Sequence, residues 1–465
     1  MNKKVFKKQI AMGFGSIIIL LKKNPDIAPK YFKIILWACC NDTSHDPQSE
    51  PDRIQYLYDI ISLSGKRYEL ENVCLKKMLK SRNKKDWSTR QLLTLSTHFY
   101  KNGNLIAREA IFVMFKTYLQ KLVKNHEHNT SYDSILRTCI ECIIHIDGIK
   151  GLEFVVNEIG EKLVKYNIDY IDTELCEAKD ILGNETVHKF LLTTSKQNEN
   201  IKKFFDISQR LQNQYEINAE NRKIIKTDFQ SIMNIIDEFT HKRINYGSFI
   251  FYSRYSKKEE FHKFAKLAYY SRRVKKEDLI KFAKLVENTG DEKKQDLILN
   301  LFRFSPYPLN IDFLLKLTNS KNMKLVKTTL NALKNNKDQR IHSLAQKLID
   351  KRKFSVYALS LLKLNFDNDY NIVLKTLKQE YQRIKKNDQY DFHSLTYQVL
   401  FVIENNKSPQ FKDILIYLYY HNDCSNCRLR IVKLMLESDT LPQSIKAECQ
   451  YDCNYEIREL VLNNE

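Results

Sequence analysis

Four cysteines toward the C-terminal end have the spacing most suggestive of chemistry. Cys424, Cys427, Cys449 and Cys453 read C-x2-C-x21-C-x3-C. Thiolates at short spacings ligate zinc, whose structural sites take four sulfur or imidazole donors in a tetrahedron. Such a zinc would be structural, because four protein ligands leave no open position for a reacting water. Superposing Arg430 on Arg458 sets Cys424 against Asp452 and Cys453 opposite Ser425, so all four sulfurs would lie near the turns of two adjacent helical hairpins. The favoured reading is plainer: cysteine is a small apolar residue that fills close helix contacts. A reversible disulfide is the third reading.

A second group lies in the loop 41–53. Asn41, Asp42, His45, Asp46, Gln48, Glu50, Asp52 and Arg53 fall within it. Histidine beside carboxylates permits general acid–base work or a cation or partner pocket, with Asp46, Gln48, Glu50 and Arg53 as its candidate residues. The favoured reading is an ordered inter-helix loop whose Asp and Asn satisfy helix-end N–H groups, since no second half of a catalytic set appears elsewhere. His126-Glu127-His128 is read as a polar loop.

A third group is electrostatic. The formal net charge is +20 and the pI is near 9.3. Residues 1–33 carry eight lysines against one acid, Asp26, and residues 301–360 carry twelve Lys/Arg against Asp312, Asp338 and Asp350. In the second stretch Lys324, Lys327, Lys334, Lys337, Arg340, Lys351, Arg352 and Lys353 cluster around successive expected turns. A basic ridge of that kind would track a phosphate backbone without reading bases. The competing reading is a lysine-rich composition whose charges solvate helix faces.

The elements that must carry these residues are helices. The 465 residues include only 10 Gly and 8 Pro, no Pro lies between Pro51 and Pro306, and no Gly follows Gly290. Hairpin turns and glycine-rich phosphate loops need Gly where φ is positive or where backbone meets phosphate. H-E-x-x-H, G-x-S-x-G and P-loop sequences are absent. Apolar residues recur at helical spacing, as in Ile106, Ala110, Val113 and Met114. Aromatic stripes such as Phe261, Phe264 and Tyr269 read as core more readily than as base-stacking platforms. Breaks are expected at Asn24-Pro25, at Asp147-Gly148 between helices 132–146 and 149–166, and at Ser305-Pro306-Tyr307-Pro308.

The apolar run Ile10–Leu21 follows four lysines and imitates a signal peptide. It is shorter than the ~20 residues a membrane span needs, and no small-x-small cleavage site follows, so it is read as core helix. Ten cysteines in a large chain without a secretory signal point to a reduced, cytoplasmic setting and to no membrane association.

Faint repetition marks the C-terminal part. Leu429-Arg430 returns as Ile457-Arg458, each just after a polar turn, and Lys324–Leu330 resembles Lys353–Leu359 about 30 residues on. A turn, an apolar–basic pair and an apolar helix are the layout of the second helix of a HEAT-type hairpin, which must stack on a neighbour to bury its face. The expected fold is therefore all-α, an α-solenoid of HEAT-like helical hairpins. Its expected division is an N-terminal helical region 1–194, a linker 195–201 and C-terminal repeats 202–465.

Three stretches resemble an uncharacterised group of bacterial HEAT-repeat proteins. They are Trp37–Asn41 through Asp46–Glu50 to Arg53 and Tyr56–Tyr58; Trp87 through Asn102–Asn104, Ala107–Ala110 and Ile146–Val155; and Cys424–Arg428 with Glu448–Asp452 and Ile457-Arg458. Pro51 stands where similar proteins carry Gly. The resemblance implies an α-solenoid and assigns no activity.

The function expected is a non-catalytic scaffold that binds a protein partner on a curved face and uses no cofactor beyond a candidate structural zinc. The alternative is a nucleic-acid-binding module with the basic edge 301–360. A helical-repeat base-excision enzyme is the third reading. It would need an aromatic-plus-acid cleft, and Trp37 and Trp87 both lie outside the repeat tail.

Overall fold

With so few helix breakers, most segments continue until a polar cap or a turn stops them. The computed structural model describes residues 1–81, 87–124, 130–166, 175–220, 227–241, 267, 269–351, 354–384 and 389–464. The described residues are helical and contain no strand. The loop histidines 126–128, Arg352 and Lys353 lie outside the described residues. Side-chain oxygens start many helices by accepting N–H groups of the first turn, as the N-cap preference requires. Asn2, Asp291, Asn322, Asp338 and Asn454 all do this. No described helix is long and apolar enough to cross a membrane.

The chain divides into two compact units. The first comprises 1–223, 423–429 and 442–465, and the second comprises 224–422 and 430–441. This division runs differently from the sequence boundaries. Residues 195–198 are a turn, and Glu199–Glu220 is a further helix packed on Thr130–Tyr166.

In the first unit the apolar run 10–21 is core, as expected. Phe6, Ile10, Ile17, Ile18 and Leu21 are buried in one cluster with Tyr31, Ile35 and Cys453. The run is nonetheless two helices, Lys3–Met12 and Ser16–Lys23, because Gly13 caps the first with φ 75°. Both glycines here are forced by close approach. A Cβ at Gly13 would sit 2.1 Å from Cys453 Sγ, and one at Gly15 would sit 2.0 Å from the Glu448 carbonyl oxygen. The segment 448–453 thus docks on a surface that only hydrogen side chains allow. The helix Thr130–Tyr166 breaks at Gly148, φ 58° and ψ −130°, where Asp147-Gly148 predicts a junction. There Asp147 accepts from Arg108 Nη2 at 2.6 Å and from Nε at 3.1 Å.

The second unit consists largely of helix pairs. Lys276–Asn288 packs on Glu292–Leu299, Asp312–Leu317 on Met323–Leu333, Gln339–Asp350 on Ser355–Leu361, and Tyr370–Ile384 on Gln389–Asn405. The second members form a row: helix 292–299 touches 323–333, which touches 355–361, which touches 389–405. Asparagines tie the turns of this row. Asn336 Nδ2 donates to the Tyr307 carbonyl at 2.9 Å, and Asn365 Nδ2 donates to the Asn336 carbonyl at 2.9 Å, each across 29 residues. Asn406 Nδ2 then donates to the Lys363 carbonyl at 2.9 Å.

Candidate functional site

The loop 41–53 and the C-terminal cysteine region meet inside the first unit. Glu50 is the hinge of that meeting. Its Oε2 accepts from Arg53 Nη2 at 3.1 Å, from Ser425 N at 3.1 Å and from Ser425 Oγ at 2.8 Å, while Oε1 accepts from Asp46 N at 2.8 Å. Burial alone would raise this carboxyl; Arg53, the Asp46 N–H and Ser425 outweigh it and hold it below its ordinary value. Arg53 also donates to the Ala11 carbonyl and, at 3.2 Å, to Thr43 Oγ1. Asp46 accepts from Gln48 N and Ser49 Oγ, at 3.1 and 2.7 Å, so it shapes the loop.

Beside this pair lies a second one. Arg428 is fully buried and bidentate on Asp452, Nε to Oδ2 at 2.8 Å and Nη2 to Oδ1 at 2.9 Å. Its Nη2 also reaches Cys453 Sγ at 3.4 Å, and its guanidinium lies 5.0 Å from the Phe14 ring. Burial pushes the Cys453 thiol up to about 11, although Arg53 and Arg428 pull the other way. That is a thiol kept protonated, unsuited to nucleophilic work. Tyr56 OH donates to the Phe14 carbonyl at 3.0 Å. Charges here are matched, and acceptors from residues 11–56 take donors from residues 425–454.

All four C-terminal cysteines are buried, and none is in a disulfide. Among the described residues, no three of Cys424, Cys427, Cys449 and Cys453 bring their sulfurs within 4.8 Å of one another. Cys453 instead lies against Gly13 and accepts from Arg428.

The basic stretch divides on inspection. Lys324 pairs with Asp296 at 2.6 Å, and Arg340 pairs with Asp338 at 2.7 Å and with Asp312. Lys327, Lys337 and Lys351 are exposed. Lys334 differs from them all. It follows the last residue of helix 323–333, is half-buried, and donates to Asn331 Oδ1 at 3.2 Å. Burial, with Arg303 and Lys363 beside it, pushes its ammonium down to about 8.

Arg303, Lys334 and Lys363 come from three successive turns of the row, and Asn335 joins those turns. Its Nδ2 donates to the Phe302 and Arg303 carbonyls, both at 3.0 Å, and its Oδ1 accepts from Lys363 Nζ at 3.4 Å. Among the described residues none of the three cations has a carboxylate within ion-pair distance. Phe304, 47% exposed, borders them; the Arg272 guanidinium lies 4.8 Å from its ring centroid and that of Arg303 5.7 Å. Sequence reasoning reached Lys334 and missed Arg303, Lys363 and Asn335. The available signal was Lys334-Asn335-Asn336 against Lys363-Leu364-Asn365, a cation followed by a turn asparagine at the repeat spacing.

No family model matches this chain, and no curated protein matches it. Among solved structures, the crystal structure of an engineered protein aligns with 84% of this chain and 97% of its own, at 11% identity and a TM-score of 0.28, a level that carries no argument.

Proposed function

We propose that this chain is a non-catalytic helical-repeat scaffold, a solenoid of HEAT-like hairpins in its second unit that offers a repeated turn edge to a macromolecular partner. The observation that carries this reading is the turn register. Asn336 and Asn365 make the same contact to the preceding turn across the same 29 residues. Units that contact only their sequence neighbours in one repeated way build extended surfaces. Four charged residues of the first unit fit the reading as well: Glu50, Arg53, Arg428 and Asp452 are engaged with one another and with the backbone. A protein partner is the occupant expected from the fold alone. The nucleic-acid reading gains from one specific observation, the three cations grouped at the turns around Asn335.

A photo-crosslinking amino acid placed in the native cell tests the scaffold. At Phe304 and Lys337, both exposed at turns, adducts to a macromolecule are expected; at Ile280, exposed on helix 276–288, none are. Absence of adducts at both turn positions would remove the proposal.

A further inference from the structure

We propose that Arg303, Lys334 and Lys363 form a phosphate-binding site for the backbone of a single-stranded nucleic acid, with Phe304 as the platform on which a base stacks. This deepens the scaffold reading and rests on it.

The argument begins with what helix ends explain. A cation after the last turn of a helix complements the negative end of the dipole, which accounts for any one of the three. It does not account for their convergence. Lys334 is half-buried, and the charges that bear on it, Arg303 and Lys363, are both positive. Like charges brought together out of water repel, and a neighbouring anion reverses that balance. Asn335 fixes the cluster, holding the Arg303 turn through two carbonyls and the Lys363 amine through its own oxygen. Donors held in place before the ligand arrives bind with less ordering cost than free surface lysines.

The ligand class follows from the neighbours. A carboxylate-rich protein would satisfy the cations but has no use for an exposed phenyl ring beside the Arg272 and Arg303 guanidinium groups. Tyr269, 38% exposed with the Arg273 guanidinium 3.7 Å from its ring centroid, repeats the aromatic–arginine pairing nearby in sequence. Basic tracks interleaved with exposed aromatics are how proteins hold single strands, phosphates on the cations and bases on the rings. Duplexes bury their base faces and offer a ring nothing to stack on.

The test is fluorescence anisotropy with labelled mixed-sequence single-stranded RNA and DNA and the matching duplex, across a salt series. Each phosphate contact on a single strand adds about 0.7 to the slope of log K against log salt. The triple variant Arg303→Gln, Lys334→Met, Lys363→Gln is expected to lose roughly 2 from that slope and more than tenfold in affinity. A control of equal charge change, Lys276→Gln, Lys316→Gln, Lys347→Gln, is expected to keep wild-type slope and affinity. Phe304→Ala is expected to weaken single-strand binding by about tenfold at unchanged slope.

Equal losses in both triple variants, duplex preferred over single strand, or poly-glutamate bound as tightly as the oligonucleotide would each overturn the site. Should the triple variant not fold, amine-reactive footprinting of the wild type decides instead. Lys334 labelling near pH 8 is expected to slow several-fold when oligonucleotide is added while Lys316 is unaffected, and an unprotected Lys334 would overturn the site. Protein adducts at Phe304 and Lys337 without oligonucleotide binding would leave the scaffold standing and remove this inference alone.

Discussion

Glu50 shows how a carboxylate in a polar loop is taken up by partners within its own chain. A glutamate beside a histidine and two aspartates in a polar loop has the makings of an acid or base. In the folded chain its side chain is fully buried, and three donors hold one of its oxygens. Its folded pKa lies below the ordinary 4.5. A carboxyl shifted down stabilises the fold above its unfolded pKa, and that contribution is lost as pH falls through the folded value. Stability of the first unit is therefore expected to decline as the solution is acidified below about pH 4.5. Glu50→Gln is expected to cost about 3 kcal/mol at neutral pH, because Arg53 is left buried without its counter-charge, and to flatten the acid slope. Denaturant unfolding at pH 7 and pH 4, followed by a probe in helix Ile54–Ser62, checks both. A Gln variant as stable as the parent at pH 7 would return Glu50 to the list of free acids.

At the scale of elements, asparagines tie each turn of the helix-pair row to the one before it. Asn365 donates to the Asn336 and Leu361 carbonyls at 2.9 and 3.1 Å and accepts from Asp338 N at 2.7 Å. Asn365→Ala leaves buried backbone groups without partners, each worth about 1–3 kcal/mol, so a loss of about 2–4 kcal/mol is expected on denaturant unfolding. The exposed Asn319→Ala is expected to stay within about 0.5 kcal/mol, and similar losses in the two variants would deny the ladder its role. Helix content was legible because glycine and proline counts and apolar spacing act locally. The Gly148 break was legible for the same reason, since Asp147-Gly148 is a turn signal on its own. The repeated arginines take different partners: Arg430 pairs with Glu404 at 2.6 Å. Arg458 donates to the Asp452 carbonyl instead, at 2.6 Å. The split of the apolar run at Gly13 was not legible, because what demands a glycine there is Cys453, far along the chain. The cation cluster was half legible. Charge counting reached Lys334, but Arg303 and Lys363 join it through an asparagine whose partners only the packed turns define.

For the molecule as a whole, the feature with the widest consequence is the docking of residues 442–465 on the first helices of the chain. Ser425 bonds to Glu50 across 375 residues, and Cys453 N donates to the Gly13 carbonyl at 2.9 Å. Long-range closure of this kind has a loop-entropy cost that grows slowly with length, and what opposes it here is a buried core shared by Phe6, Ile10 and Cys453. Removal of residues 442–465 would strip Asp452 from Arg428 and uncover Gly13 and Gly15. A buried arginine deprived of its carboxylate costs about 3–5 kcal/mol, on top of the apolar area exposed. Hydrogen exchange of the chain truncated after Leu441 is therefore expected to show lost protection in helices 3–12, 16–23 and 32–40. Helices 323–333 and 339–350, packed within the helix-pair row, are expected to exchange at their full-length rates. A peptide of residues 442–465 added in trans should restore protection to the first set, and the same peptide with Asp452→Asn should restore much less, since it returns the apolar contacts without the charge. Undiminished protection of the first helices after truncation would mean that their core closes without the C-terminal segment, and the Arg428–Asp452 pair would then be an accessory of the fold.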